Sequence, residues 1–129
     1  PDLSRFHERG GKMLMHFGWA DTALNPMMAV GYYEDVLETM GPETREFFRF
    51  YTVPGMFHCR GGIGADRFDL LTPLVNWVEA GEAPQALRSS QVVSGNVTRT
   101  RKLCPYPERA VYDGKGDPNS ADSFRCAAE

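Results

Sequence analysis

The chain has 129 residues, of which 42% are hydrophobic and 24% are charged, and its formal net charge at pH 7 is -3. This length and composition predict one soluble domain rather than a disordered or fibrous segment. Basic residues cluster only at Arg99, Arg101 and Lys102, so we expect no nucleic-acid partner. No apolar run reaches the roughly 20 residues of a membrane-spanning helix, so we expect no membrane partner.

The start of the chain has no Met and no charged head followed by an apolar centre, as a signal peptide would have. Because it opens at Pro1 in a polar stretch, we expect a fragment of a longer protein with any export signal upstream. Cys59, Cys104 and Cys126 are an odd number of cysteines, so at least one lacks a partner in the chain if disulfides form. Three free thiols in a cytosolic domain are the alternative.

The first half of the chain alternates between strand and helix patterns. Residues 11–18 (GKMLMHFG) are a short apolar run between glycines, which predicts a buried strand. A helix is predicted from Pro26 to Gly41, because Pro suits a first helical turn and apolar residues recur at helical spacing. These apolar residues are Met27, Val30, Tyr33 and Leu37. Residues 47–53 (FFRFYTV) are aromatic and β-branched, which predicts a second buried strand.

The second half begins with a glycine-rich turn at residues 60–64, after which a second helix is predicted to close at Gly81. Its apolar positions are Phe68, Leu71, Leu74, Val75 and Val78. Residues 90–97 predict a further strand, and residues 103–129, rich in Pro, Gly, Asp and Ser, predict an irregular tail on the surface. The order of elements predicts an α/β fold with parallel strands and flanking helices, with functional loops beyond the carboxyl ends of the strands.

Asp21 and His58 follow the two predicted strands. Hydrolases of this architecture supply the carboxylate and then the imidazole of a Ser–His–Asp triad in that chain order, so Asp21 would orient the ring of His58 and His58 would act as the base. Taken singly, such an Asp is more often a helix cap or turn former, and such a His is more often structural. No serine lies in a G-x-S-x-G motif, so we expect the nucleophile upstream of Pro1.

The other histidines favour structural roles. His7 lies in the polar opening segment, and His16 lies inside a predicted strand, where we expect it to pack in the core. His16, Asp21, His58 and Cys59 are all possible metal ligands, but their spacing matches no short zinc pattern. We therefore assign no metal to this chain.

Four blocks of the sequence carry a resemblance to a known family. They read GGKMLMHFGWADTALNP, VPGMFHCRGG, DRFDLLTPLVNWVEAGEAP and RTRKLCPYP. In this order they resemble the end of the tannase and feruloyl esterase family, over nearly the whole chain. The resemblance implies that residues 1–129 are the C-terminal portion of one α/β-hydrolase catalytic domain. The nucleophile and lid regions would lie upstream, and residues 103–129 would form a disulfide-linked tail.

The resemblance also assigns roles to residues. The Asp of the GWAD block and the His of the GMxHC block complete the family's triad, which implies catalytic roles for Asp21 and His58. The family cysteine after this His bonds to a cysteine beside the nucleophilic serine, so Cys59 would have its partner outside this chain. Cys104 and Cys126 then form a second, local pair. The candidate pocket residues are Trp19, Thr22, Ala23, Leu24 and Phe57, while Trp77 is expected in the core.

The implied function is a carboxylic ester hydrolase that acts on aromatic acid esters, such as feruloyl or galloyl esters, through an acyl-serine intermediate. We expect no cofactor in this chain, with any calcium ion in the lid region, and an isolated chain that is inactive without its serine. The expected partners are a small aromatic ester and the N-terminal part of the same catalytic domain. Disulfides imply a secreted or periplasmic protein.

Two alternatives remain open at this stage. One is a noncatalytic hydrolase-fold binding module, in which Asp21 caps the helix that begins near Pro26 and His58 is structural. The other is a different α/β hydrolase, because an Asp loop and a late His occur widely among them. The cysteine at position 59, directly after the His, argues against this second alternative.

Overall fold

Two parallel strands and the helix between them form the framework of the fold. The computed structural model describes residues 1–128. A short helix α1 (Ser4–Glu8) precedes β1 (Met13–Gly18), α2 (Met27–Met40), a 3₁₀ helix (Pro42–Glu46) and β2 (Phe48–Val53). The register pairs Met13 with Phe48 and Gly18 with Val53, so both strands end at the same edge of the sheet. The predicted order of strand, helix and strand is confirmed.

The main core lies between α2 and β2. Its buried members are Ala29, Val30, Tyr33, Val36, Phe47, Phe48 and Phe50. Tyr33 packs edge-on against Phe48 with ring centroids 4.9 Å apart. Removing such large side chains from water stabilises the fold by about 1.5–3 kcal/mol each. These aromatic residues explain why β2 is buried, as the sequence predicts.

Strand β1 is less buried than the sequence predicts. Its residues from Met13 to Phe17 are half-buried, and only Gly18 is fully covered. Within residues 1–128, β1 pairs with β2 alone, so its other edge has no partner strand. The prediction of a buried first strand was therefore wrong in degree, because an apolar run does not reveal how many strands will flank it.

A β-hairpin follows α3 (Leu71–Ala80), which ends at Gly81 as predicted but begins after Phe68. The hairpin pairs β3 (Leu87–Val93) with β4 (Asn96–Leu103) in antiparallel fashion. Ser94 and Gly95 form its two-residue turn, with φ angles of 49° and 82°. The predicted single strand at residues 90–97 was wrong, because that range runs across this turn. A positive φ is expected of Gly and Asn but is unusual for Ser.

The tail is more regular than the sequence predicts. Strands β5 (Arg109–Tyr112) and β6 (Phe124–Ala127) pair in antiparallel fashion, and a disulfide joins Cys104 to Cys126. The prediction of an irregular tail was thus wrong for its two strands, while residue 129 lies outside the described residues.

Trp77 is buried as predicted, whereas Leu71, Val75 and Val78 of α3 are exposed. No helix within residues 1–128 is long and apolar enough to cross a membrane.

Candidate active site

Asp21 lies in the turn that follows β1, and its carboxylate performs two tasks. Asp21 Oδ1 accepts the backbone N–H groups of Ala23 at 2.8 Å and Leu24 at 3.0 Å. An Asp side chain often stabilises its own turn in this way. The Asp21 side chain is fully shielded from solvent. Its second oxygen, Oδ2, is left to face the loop that follows β2.

His58 meets this second oxygen. His58 Nδ1 lies 2.7 Å from Asp21 Oδ2. An ionised carboxylate can only accept, so Nδ1 carries the proton of this hydrogen bond, and Nε2 is the nitrogen that can accept when the ring carries a single proton. The His58 side chain is 51% exposed. Within residues 1–128 Nε2 makes no hydrogen bond, so the geometry leaves a proton acceptor available beside an oriented imidazole.

Opposing effects set the pKa of Asp21. Burial of the carboxylate raises its pKa, but the hydrogen bonds from His58 and from the amides of Leu24 and Ala23 outweigh this effect. The resulting pKa lies below the ordinary value of 3.8. The carboxylate is therefore ionised at neutral pH. Because folding lowers this pKa, the ionised carboxylate stabilises the fold at pH values above the ordinary pKa. This stability is lost as the pH falls through the pKa of the folded state.

Backbone contacts hold the two loops together. The Trp19 N–H donates to the Val53 carbonyl at 2.9 Å, and the Ala20 N–H donates to the Met56 carbonyl at 3.0 Å. A Cβ atom at Gly18 would lie 2.1 Å from the carbonyl oxygen of Phe57. Only glycine permits this approach, because any side chain would collide with the opposite backbone. The end of β1 thus fixes the distance between Asp21 and His58.

The loop that carries His58 spans residues 54–64 and is called here the His58 loop. Its Phe57 N–H donates to the Gly61 carbonyl at 3.2 Å, and its Gly64 N–H donates to the Gly55 carbonyl at 3.0 Å. A Cβ atom at Gly64 would lie 2.1 Å from the carbonyl oxygen of Pro54. Met56, itself a residue of this loop, is completely buried. The glycine-rich sequence is therefore needed for a tight loop whose His58 is displayed at the surface.

The structure brings together some of the predicted site residues and separates others. Cys59 is an exposed free thiol directly after His58. The remaining residues beside the pair are also exposed; they are Thr22, Ala23, Leu24 and Phe57. Trp19 instead lines a groove of about 830 Å³ whose lining includes neither Asp21 nor His58. Trp19 therefore belongs to a different surface from the other candidate pocket residues.

The alternative role predicted for Asp21, capping of α2, is wrong. It is Asn25 whose side chain contacts the start of α2, because its Oδ1 accepts the N–H of Met27, the first residue of the helix, at 3.0 Å. Among the residues that the structure describes, the Asp21 side chain bonds only to its own turn and to His58. The general expectation that an Asp after a strand forms a turn is thus correct, and it is compatible with the contact to His58, because the two oxygens are used separately.

The other two histidines pack against aromatic rings. His7 stacks on Phe47 with centroids 4.4 Å apart, so it is more than a polar surface residue. His16 packs edge-on against Phe68 at 5.1 Å, and burial lowers its pKa below 6.5. The described residues contain no group of three or more His, Cys, Asp or Glu side chains arranged to share a metal ion.

Sequence reasoning missed the contributions of Gly18 and of the amides of Ala23 and Leu24. A glycine at the end of a strand often indicates that another backbone approaches closely, so the role of Gly18 could have been predicted from the sequence. The turn amides carry no signal of their own, because every residue except proline has one.

Comparison with known proteins places this chain in a family. The sequence model described as "Tannase and feruloyl esterase" matches residues 1–127. A mono(2-hydroxyethyl) terephthalate hydrolase of Piscinibacter sakaiensis is 48% identical over 98% of this chain and 21% of its own length. A probable feruloyl esterase of Arthroderma benhamiae is 42% identical over the whole chain and 25% of its own length. This chain therefore spans about a fifth to a quarter of these relatives.

Solved structures agree with the sequence matches. The crystal structure of feruloyl esterase B from Aspergillus oryzae superimposes with a TM-score of 0.86 at 32% identity, over 98% of this chain and 28% of that one. A second esterase from Aspergillus oryzae gives a TM-score of 0.88 at 34% identity, over 98% of this chain and 29% of its own. With the family match across nearly all residues, these findings establish that the chain belongs to the tannase and feruloyl esterase family.

Proposed function

We propose that this chain supplies the aspartate and the histidine of a Ser–His–Asp triad in a carboxylic ester hydrolase. The observation that carries the proposal is the 2.7 Å contact between His58 Nδ1 and Asp21 Oδ2 at the joined ends of two parallel strands. Residues 1–129 are the C-terminal portion of an α/β-hydrolase catalytic domain, and the nucleophilic serine belongs to another part of that domain. Cys59 bonds to a cysteine in that other part.

In the proposed reaction, His58 Nε2 takes the proton of the serine hydroxyl as the serine oxygen attacks the ester carbonyl. The ionised Asp21 holds the ring in position and stabilises the imidazolium that forms. The imidazolium then gives its proton to the departing alcohol, which leaves an acyl-serine. Water attacks this intermediate with His58 again as base, and the carboxylic acid is released as the serine recovers its proton.

The proposed substrates are esters of aromatic carboxylic acids. The names of the relatives point to this class, because they specify a terephthalate monoester and feruloyl esters. Leu24 and Phe57 lie close to Asp21 and His58 in the chain, and each is 46% exposed. Their apolar side chains suit contact with an aromatic acyl group. The Cys104–Cys126 disulfide supports a secreted or periplasmic location, because disulfides persist in oxidising compartments.

A chimera tests the proposal. Residues 1–127 replace the matching segment of the Piscinibacter sakaiensis terephthalate hydrolase, whose 48% identity favours a folded product. We expect this chimera to hydrolyse mono(2-hydroxyethyl) terephthalate or methyl ferulate. The measurement is the rate at which the free acid is released. His58→Ala should lower kcat by about 10⁶-fold because the base is lost, and Asp21→Asn by about 10⁴-fold because the orienting charge is lost. The isolated 129-residue chain should show no turnover.

Lys115→Ala is the matched control, because Lys115 lies on an exposed turn of the tail. It should leave kcat and KM unchanged. A folded chimera that hydrolyses neither ester, or one whose activity survives His58→Ala, would contradict the proposal. The noncatalytic binding module would then be the better description.

A further inference from the structure

The His58 loop is held from outside by the β3–β4 hairpin as well as by its own glycines. Two side chains of the hairpin donate to the same backbone oxygen of this loop, the carbonyl of Ile63. Arg99 Nη2 reaches it at 2.6 Å and Gln91 Nε2 at 3.1 Å. Arg99 and Gln91 are paired residues on adjacent strands, so both contacts originate from one position of the hairpin. The Ile63 carbonyl is therefore fixed by two neighbouring donors.

Asp66 provides a second attachment. Its Oδ2 accepts the backbone N–H of Gly61 at 2.7 Å, and its side chain is only 11% exposed. The next residue, Arg67, exchanges backbone hydrogen bonds with Ser90 of β3 at 3.0 and 2.7 Å. Asp66 is thus fixed against the hairpin through its neighbour, and it passes this constraint to Gly61.

The position of Gly61 connects this attachment to the candidate base. The Gly61 carbonyl accepts the Phe57 N–H, which closes the turn that contains His58 and Cys59. The Gly61 N–H is held by Asp66 on the other side of the same residue. Loss of the Asp66 carboxylate would leave this N–H without its partner and would free the turn at its closing residue.

We infer that Asp66 and Arg99 are positioning residues that hold the His58 loop so that His58 Nδ1 stays within hydrogen-bond distance of Asp21. Both contacts involve one charged partner, and such hydrogen bonds are shorter and stronger than neutral ones. Neither residue touches the imidazole, so they act through the backbone at Gly61 and Ile63. The inference rests on the proposed function for its catalytic consequence, while its structural content stands without it.

Nuclear magnetic resonance of the 129-residue chain tests the structural content. The readouts are the downfield resonance of the His58 Nδ1 proton and the hydrogen-exchange rate of the Gly61 amide. Asp66→Ala should broaden or abolish the first and raise the second at least about tenfold, since one hydrogen bond of about 1.4 kcal/mol corresponds to a factor of ten. Asp66→Asn keeps an acceptor oxygen and should restore both readouts substantially.

Asp69→Ala is the matched control. Asp69 also accepts two backbone amides, those of Leu71 and Thr72, but at the start of α3. Its loss should leave the His58 and Gly61 signals unchanged. If Asp66→Ala leaves both signals unchanged, or if Asp69→Ala alters them equally, the positioning role is overturned.

The chimera provides the second measurement, which does not depend on the isolated chain. Arg99→Met should lower kcat by up to about 10²-fold with little change in KM, because a displacement near 1 Å at a reacting group has this effect. Arg99→Lys, which keeps a cationic donor, should recover part of the loss. Equal activity of Arg99→Met and the parent chimera overturns the role of Arg99. An inactive parent chimera contradicts the proposed function instead, and the resonance data then decide the positioning role alone.

Discussion

The β1–α2–β2 unit and the tail, residues 104–128, are stabilised in different ways. The unit buries large aromatic side chains, among them Tyr33, Phe48 and Phe50. The buried residues of the tail are small, namely Cys104, Ala121 and Ser123. The Cys104–Cys126 disulfide joins β6 to the residue that follows β4, and an ion pair at 3.3 Å joins Arg125 of β6 to Asp113. Hydrophobic burial thus dominates in the unit, and a covalent bond replaces it in the tail.

This difference explains where the candidate site lies. A close-packed interior resists displacement of its strands, so loops at the ends of β1 and β2 inherit a fixed separation. Asp21 and His58 occupy those loops, and their contact requires that separation. The tail has too little core to provide such a platform, although its disulfide keeps it attached to the end of β4.

The largest expected effect comes from truncating the core of the unit. Phe50→Ala should lower the free energy of unfolding by about 3–5 kcal/mol, because Phe50 is completely buried and its removal leaves a cavity. Phe124→Ala, the same change in the tail, should cost less, because Phe124 is only half-buried. Urea denaturation followed by fluorescence measures both. Equal losses would show that the tail has a core comparable to that of the unit.

The next effect in size concerns the disulfide. Replacing Cys104 and Cys126 together by Ala should lower the free energy of unfolding by about 3 kcal/mol, since the bond closes a loop of 22 residues. The loss should appear first as faster hydrogen exchange in β5 and β6. Cys59→Ala is the control, because that thiol is unpaired in this chain. A double variant as stable as the parent would mean that noncovalent contacts suffice to hold the tail.

The unit was predictable from the sequence because its signals are local. The apolar run at residues 11–18, the helical spacing after Pro26 and the aromatic residues 47–53 each identify one element. Pairing of the two strands then follows from their order, and it places Asp21 near His58. The sequence did not reveal that β1 would be half-buried, because burial depends on neighbours that are distant along the chain.

The remainder of the fold depended on weaker signals. The turn at Ser94 and Gly95 was missed because Ser rarely adopts a positive φ, so residues 90–97 were predicted as one strand. The strands of the tail are four residues each, too short for a periodic pattern to stand out. The attachment of the His58 loop by Arg99 joins residues that only the folded hairpin brings together.

The smallest expected effect tests how the tail is joined to the unit. Tyr106, in the tail, donates its hydroxyl proton to Glu34 of α2 at 2.6 Å, and its ring lies 5.7 Å from that of Phe50. Tyr106→Phe keeps the ring contact and removes the hydrogen bond. It should lower the free energy of unfolding by about 0.5–1 kcal/mol, because the hydroxyl and carboxylate remain partly accessible to water. Tyr112→Phe, which removes a bond inside the tail to Gly116, is the control.

The pH dependence of this effect identifies its cause. The hydrogen bond to Glu34, together with burial and the negative charge of Glu34, raises the pKa of Tyr106 above 10.0. The phenol must keep its proton to donate, so its stabilising contribution is complete below the ordinary pKa and is lost as the pH rises through the folded pKa. The difference in stability between the parent and Tyr106→Phe should therefore shrink above about pH 10. If the difference in the free energy of unfolding were the same at all pH values, the contribution of Tyr106 would come from its ring contacts and not from the hydrogen bond to Glu34.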